Sequence, residues 1–383
     1  MIPWWSRLLT LGCVALVLAV TSLGVDAQPR ESASSAGSTQ ASLSAVQAYQ
    51  QGARLADVRS ATRDDVEAVR LFRWAADRGN ADAQLYLGWM YENGRGIPKD
   101  HVEAARYYRL AARQGLSVAQ TNLGFMYETG RGVANNDGEA VRLYRLAVKQ
   151  GDARAQSHLG WMYANGRGVP RDDVRAVRLY RLAANRGHAD AQNRLAFMHA
   201  EGRGVPRDDV EAIRLYRLAA DQGNAPAQFN LALRHLSGQG VIQDDAQAAR
   251  LLRLAADQGL AKAQRNLGVL HLEGRGVSKD DVEAVRLFGL AADQGLAAAH
   301  DNLGWMYENG RGVAKNHLEA LRLFRLAASQ GDASGQYKVG YFFEQGLGGL
   351  NPDLSAAKDW YQLAARQGHD DAQAALKRLG ATW

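Results

Sequence analysis

The interval of 36 residues at which Leu-Gly-aromatic returns limits what this chain can fold into more than any other feature. The tripeptide stands at Leu87-Gly88-Trp89, Leu123-Gly124-Phe125, Leu159-Gly160-Trp161 and Leu303-Gly304-Trp305. Variants fill the gaps at Leu195-Ala196-Phe197, Leu231-Ala232-Leu233, Leu267-Gly268-Val269 and Val339-Gly340-Tyr341. A fixed period in the range of roughly 20 to 50 residues marks an array whose units bury their apolar faces only against neighbours. Such arrays bind other molecules far more often than they catalyse.

Each unit opens with Ala-x-Ala-Gln or a close variant, the Gln falling at Gln84, Gln120, Gln156, Gln192, Gln228, Gln264 and Gln336, with His300 as a substitute. A first helix follows, with Ala83, Leu87, Met90 and Tyr91 on one face by helical spacing. Gly-x-Gly turns such as Gly94-Arg95-Gly96 then suit a helix end that needs left-handed backbone. Acidic residues such as Asp64-Asp65 and Asp172-Asp173 open a second helix, where they favour the positive end of its dipole. That helix carries the buried stripe Ala68, Leu71, Phe72 and Ala75 in its first copy and ends at glycines such as Gly79 and Gly115.

Because these elements recur together and in register, the chain resembles the Sel-one-like repeat family, relatives of the tetratricopeptide repeats, from Ser44 to Leu379. The resemblance implies an all-α fold, a right-handed α/α superhelical solenoid of 36-residue helix-turn-helix repeats. Full units begin at residues 81, 117, 153, 189, 225, 261, 297 and 333, the last reaching residue 369. Residues 44–80 read as a degenerate first unit with a longer loop after Gly52, and residues 370–383 as a capping helix and tail.

The N-terminus has the layout of an export signal. Leu8 to Val20 is uncharged and mostly aliphatic, and Val25-Asp26-Ala27 offers a cleavage site, so residues 1–27 read as a signal peptide. An uncleaved anchor is the competing reading, and membrane contact is expected only in that case. Residues 28–43, rich in Ser, Ala, Gln and Gly, read as a flexible linker. The sole cysteine, Cys13, falls in the apolar run, so the processed chain depends on packing without disulfides. A net charge of +6 by itself suggests an anionic partner, but export and acid-paired helix arginines speak against nucleic acid.

The residues after the glycine are the first candidate site. Trp89, Phe125, Trp161, Phe197, Trp305 and Tyr341 lie about 200° around the helix from the core leucine. In the resembled fold this helix lines the concave surface, so the row reads either as apolar docking points or as packing between adjacent first helices. Asn122, Asn230, Asn266 and Asn302 sit beside it, and an amide can bracket a peptide bond of an extended partner or bond to a neighbouring helix. His199, His235 and His271 replace the unit tyrosine, but layers ~8–10 Å apart cannot close on one ion. They read as core imidazoles, and no metal is expected.

Arginines form two ladders. Those on the second helix, such as Arg70 and Arg106, have Glu three residues earlier and read as exposed ion pairs. The loop arginines Arg95, Arg131, Arg167, Arg203, Arg275 and Arg311 lack a partner at that spacing; they are expected to hold helix-end carbonyls or to meet an anionic partner. Enzyme motifs are all but absent. Ser355-Ala356-Ala357-Lys358 matches Ser-x-x-Lys but lacks its companion motifs and falls at a helix start. The expectation is therefore a non-enzymatic, cofactor-free interaction scaffold of the bacterial envelope, periplasmic or secreted, that binds a protein or peptide in the groove lined by the first helices. The alternative is a carbohydrate-binding or hydrolytic envelope protein, acting on cell wall or β-lactam, whose aromatics stack on sugar rings.

Overall fold

The computed structural model describes residues 44–57 and 63–383. The expected signal peptide, linker and Cys13 lie outside the described residues. Among the described residues there are 19 helices and no strand, an all-α solenoid of repeats of about 36 residues. Contacts group the chain into two units, one ending at Arg207 and the other spanning Asp208–Trp383.

Two kinds of helix alternate in each unit. Helices such as Ala81–Asn93, Ser117–Thr129 and Ala153–Asn165 in the first unit, and Ala261–Glu273 and Ala297–Asn309 in the second, carry the Leu-Gly element; they are called A helices below. Between them stand B helices such as Asp65–Asp77, His101–Arg113 and Asp173–Ala184, then Asp245–Asp257 and His317–Ser329. Every A helix packs on the B helix that follows it in its unit, and each B helix packs on the next A helix.

Local chemistry fixes the boundaries. The Asp64 side chain accepts hydrogen bonds from the Val66 and Glu67 amides, and an Asp or Asn holds the same place at Asp100, Asn136, Asp172 and Asp280. An A helix ends on a left-handed glycine, as at Gly94 with φ 69°. The second glycine of the turn has a further role. A Cβ on Gly96 would lie 2.1 Å from the Asp65 carbonyl oxygen, so the loop presses against the B helix of the preceding repeat.

The Leu-Gly glycine does the same inside the repeat. A Cβ on Gly88 would lie 2.8 Å from the Tyr108 ring, which is wholly buried. Gly52 proves to be this kind of glycine, its Cβ position 2.9 Å from Phe72. The expected loop after Gly52 is thus corrected: the helix Ala45–Ala56 runs through it because the glycine is a packing seat for Phe72.

A polar relay joins successive repeats. Gln84 is buried, its amide donating to the Ala76 carbonyl at 3.1 Å while its oxygen accepts from Gln114 at 2.8 Å. Gln120 repeats the pattern with Ala112 and Gln150. Each glutamine thereby satisfies a carbonyl at the end of the previous B helix, which would otherwise be buried unpaired.

Candidate partner-binding face

Most positions of the A helices repeat with little change, because they pack. The second, fifth, sixth and ninth do not, nor do the twelfth and thirteenth at the helix end. The fifth residue runs Leu85, Thr121, Ser157, Asn193 in the first unit and Phe229, Arg265, Asp301, Tyr337 in the second. The sixth runs Tyr86, Asn122, His158, Arg194, then Asn230, Asn266, Asn302, Lys338. Spacings of three and four residues put these positions on one face of the helix. The signal lies in comparing the repeats column by column, which an inspection of motifs alone does not do.

The aromatic row occupies the ninth position of that face. Trp89, Phe125, Trp161, Trp305 and Tyr341 are half-buried, and Phe197 is 41% exposed. Trp89 packs against two successive core clusters, as do Trp305 and Tyr341. These three rings therefore do not point away from the core as a bare row; they bridge repeats. Loop arginines roof members of the row. The Arg95 guanidinium lies 5.0 Å from the Trp89 ring centre, Arg131 5.5 Å from Phe125, Arg167 5.1 Å from Trp161 and Arg311 5.3 Å from Trp305.

The four asparagines are half-buried. In the second unit, Arg265 donates to the oxygen of Asn302 at 2.8 Å and to that of Asn266 at 3.2 Å. Those two amides thus offer their NH₂ ends, with the acceptor ends already engaged. Asp301 sits beside them, accepting from the Ser334 hydroxyl at 3.0 Å while its other oxygen is buried without a partner. Burial raises its pKa to about 6, reinforced by Asp332 and opposed by the Ser334 hydrogen bond and by Lys338 and Arg265. Lys338 is itself held by Glu308 at 2.8 Å.

In the first unit the corresponding cluster centres on Glu128. It accepts from the Tyr144 hydroxyl at 2.5 Å and faces His158 Nδ1 at 3.3 Å, with the imidazole stacked on Tyr144. Burial works to raise the Glu128 pKa, but the His158 and Tyr144 hydrogen bonds and the Arg167 charge outweigh it, leaving the carboxyl below its usual range.

Five of the six loop arginines do have a fixed carboxylate partner, contrary to the reading from short spacings; 30 residues before Arg131 stands His101 in place of the acid. Arg95 pairs with Asp65, Arg167 with Asp137, Arg203 with Asp173, Arg275 with Asp245 and Arg311 with Asp281, each 30 residues back. Arg95, Arg167 and Arg203 also donate to helix-end carbonyls, as expected, at Ala56, Glu128 and Ala164. The carboxylate escaped notice because it lies in the preceding repeat.

On the B helices the Glu–Arg pairs form as expected, at 2.5 Å for Glu67–Arg70 and 2.6 Å for Glu319–Arg322. A second set of B-helix arginines, not singled out in the sequence, donates to tyrosines of the next A helix: Arg73 to Tyr91, Arg109 to Tyr127 and Arg145 to Tyr163. His199, His235 and His271 are buried, as expected of core imidazoles. Ser355 is exposed, and the helix at whose start it falls is capped by Asp353.

The model of the Sel1 repeat matches residues 40–80, 81–116, 117–152, 153–188, 189–224, 225–260, 261–296, 297–332 and 333–369. Among solved structures, the chain is similar to a protective antigen of uropathogenic Escherichia coli strains with an SLR fold. The two share 33% identity and a TM-score of 0.57 over 87% of this chain and 79% of that one. It is also similar to a Sel1 repeat protein of Oxalobacter formigenes, at 35% identity and a TM-score of 0.56 over 77% and 85% of the two chains. No curated protein matches the chain.

Proposed function

Because the chain belongs to the Sel1 repeat family, whose repeats are generally non-enzymatic interaction scaffolds, we propose that it is an exported envelope adaptor binding a protein or peptide along its A helices. The observation that carries this reading is the confinement of variation. Most packing positions recur from repeat to repeat, whereas the second, fifth and sixth A-helix positions differ in charge, size and hydrogen-bonding type, the ninth differs in apolar size, and the twelfth and thirteenth vary at the helix end. A scaffold needs its repeats alike where they stack and different where they meet a partner.

On this reading Trp89, Phe125, Trp161, Phe197, Trp305 and Tyr341 serve both purposes, one ring surface sealing the repeats and the exposed edge meeting the guest. Asn122, Asn230, Asn266 and Asn302 supply amide donors beside them. Sugar stacking is disfavoured, since a carbohydrate needs a flat ring face and the arginines cover those of Trp89, Trp161 and Trp305. Export rests on the apolar leader at residues 1–27. The antigen role of the similar Escherichia coli protein accords with it.

The test is affinity capture from an envelope extract with tagged protein, comparing wild type with Phe197→Ser and Asn122→Ala. A specific partner retained by wild type and lost by both variants, at unchanged helical circular dichroism, is the expected result. Equal capture by all three removes the A-helix face from consideration.

A further inference from the structure

One B helix of the first unit breaks the pattern of the others. Six B helices elsewhere hold their outward arginine with a glutamate three residues before it, at 2.5–2.9 Å. In the helix Asp173–Ala184 that glutamate is replaced by Arg175. Arg175 turns back to the cap carboxylate Asp172 at 3.1 Å and lies 5.6 Å from the Tyr163 ring centre. Arg178 is left without its usual counter-charge.

A second departure acts at the same place. The arginine three residues on, Arg181, matches Arg73, Arg109 and Arg145, which donate to a tyrosine hydroxyl 18 residues later. That tyrosine is here His199, whose Nδ1 is buried without a partner. Among the described residues no carboxylate pairs with Arg178 or Arg181, while Asp173 is shared by Arg171 and Arg203 at 2.7 and 2.8 Å. The positive field is felt at Tyr163: burial works to raise its pKa, but the Arg145 and Arg175 guanidinia bring it below the usual phenol range.

Val174 and Leu182, 50% and 52% exposed, share a helix face with Arg178 and Arg181. We propose that this outward face docks a short acidic peptide segment, its carboxylates on Arg178 and Arg181 and an apolar side chain against each of Val174 and Leu182. Eight helical residues separate the two apolar ends by ~12 Å, which about four residues of extended chain span. The partner therefore carries acidic residues between two apolar ones about four positions apart. Toward the preceding B helix the charged strip narrows to a single helix, because there Glu139 already holds Arg142 at 2.7 Å. That width suits a peptide better than a lipid surface or nucleic acid, both of which need a broad cationic field.

The experiment uses the purified full chain and a fluorescein-labelled Leu-Glu-Asp-Glu-Leu peptide, read by anisotropy. Saturable binding that weakens as salt rises is expected. Arg175→Glu should reduce affinity at least about tenfold while leaving the melting curve unchanged or raised, since it restores the arrangement of the other B helices. Arg178→Gln should weaken binding to a similar extent, and Arg214→Ala, on a helix whose arginine is paired, should not alter it. The proposal is overturned if the peptide does not bind, if Arg175→Glu or Arg178→Gln binds it as tightly as wild type, or if a lysine-substituted peptide binds equally. Binding of phosphatidylglycerol vesicles but not the peptide overturns it as well.

Discussion

A carboxylate that most repeats do not carry shapes the chemistry around Asp301. Moving a carboxyl from 3.8 to about 6 corresponds to about 3 kcal/mol at full ionisation, and partial exposure reduces this to about 2. Folding raises the pKa, so the group adds no penalty below 3.8 and destabilises as pH climbs through about 6. Asp301→Asn keeps an acceptor for Ser334 and should gain about 2 kcal/mol in denaturant melts near pH 8 but nothing near pH 3.5. A gain of equal size at both pH values would show that ionisation is not the cause. Gln156 poses a simpler case. Its oxygen is buried without a partner because residue 186 is arginine where other repeats place a relay glutamine. Arg186→Gln should restore the bond and add about 1 kcal/mol to stability in the same melts. Neither position announces itself in the sequence: the leucines, alanines and glycines of the core are legible from spacing, whereas a solitary acid or a missing partner is defined by contacts across repeats.

At the scale of helices and loops, ion pairs of similar length differ in worth. Arg95 and Asp65 expose 18% and 16% of their side chains, and Arg95 also holds the Ala56 carbonyl; Arg70 is 66% exposed beside Glu67. Chemical denaturation should therefore assign Arg95→Ala a cost of about 2 kcal/mol and Arg70→Ala less than about 0.5. Gly88→Ala forces a methyl against Tyr108 and should cost about 2 kcal/mol despite alanine's better helix propensity. A stabilising Gly88→Ala would mean that the aromatic ring has room to retreat. Helix identity, the glycine ends and the Glu–Arg ladder were all readable, because each depends on neighbours within four residues. The 30-residue latch was not, and the aromatic row could be read as docking points or as packing between helices, since short-range periodicity does not tell which neighbour a side chain will meet in the next repeat.

For the molecule as a whole, seams that repeat most of their contacts imply interchangeable modules. Removing residues 117–152 brings the helix His101–Arg113 against Ala153–Asn165, where Arg109 finds Tyr163 in place of Tyr127 and Gln156 finds Ala112 in place of Gln120. The shortened chain should fold with one cooperative transition and the same mean helicity, whereas deleting residues 117–146 should not, as judged by circular dichroism. The nine matched repeats were foreseeable from the period alone. The loop latches all point backwards, each guanidinium reaching a carboxylate 30 residues nearer the N-terminus. A chain emerging amino end first, from a ribosome or through a translocation pore, would always find the receiving half already outside. Growth could then proceed like a zip closed behind its slider, every new module fastening onto finished structure without waiting for the carboxyl end.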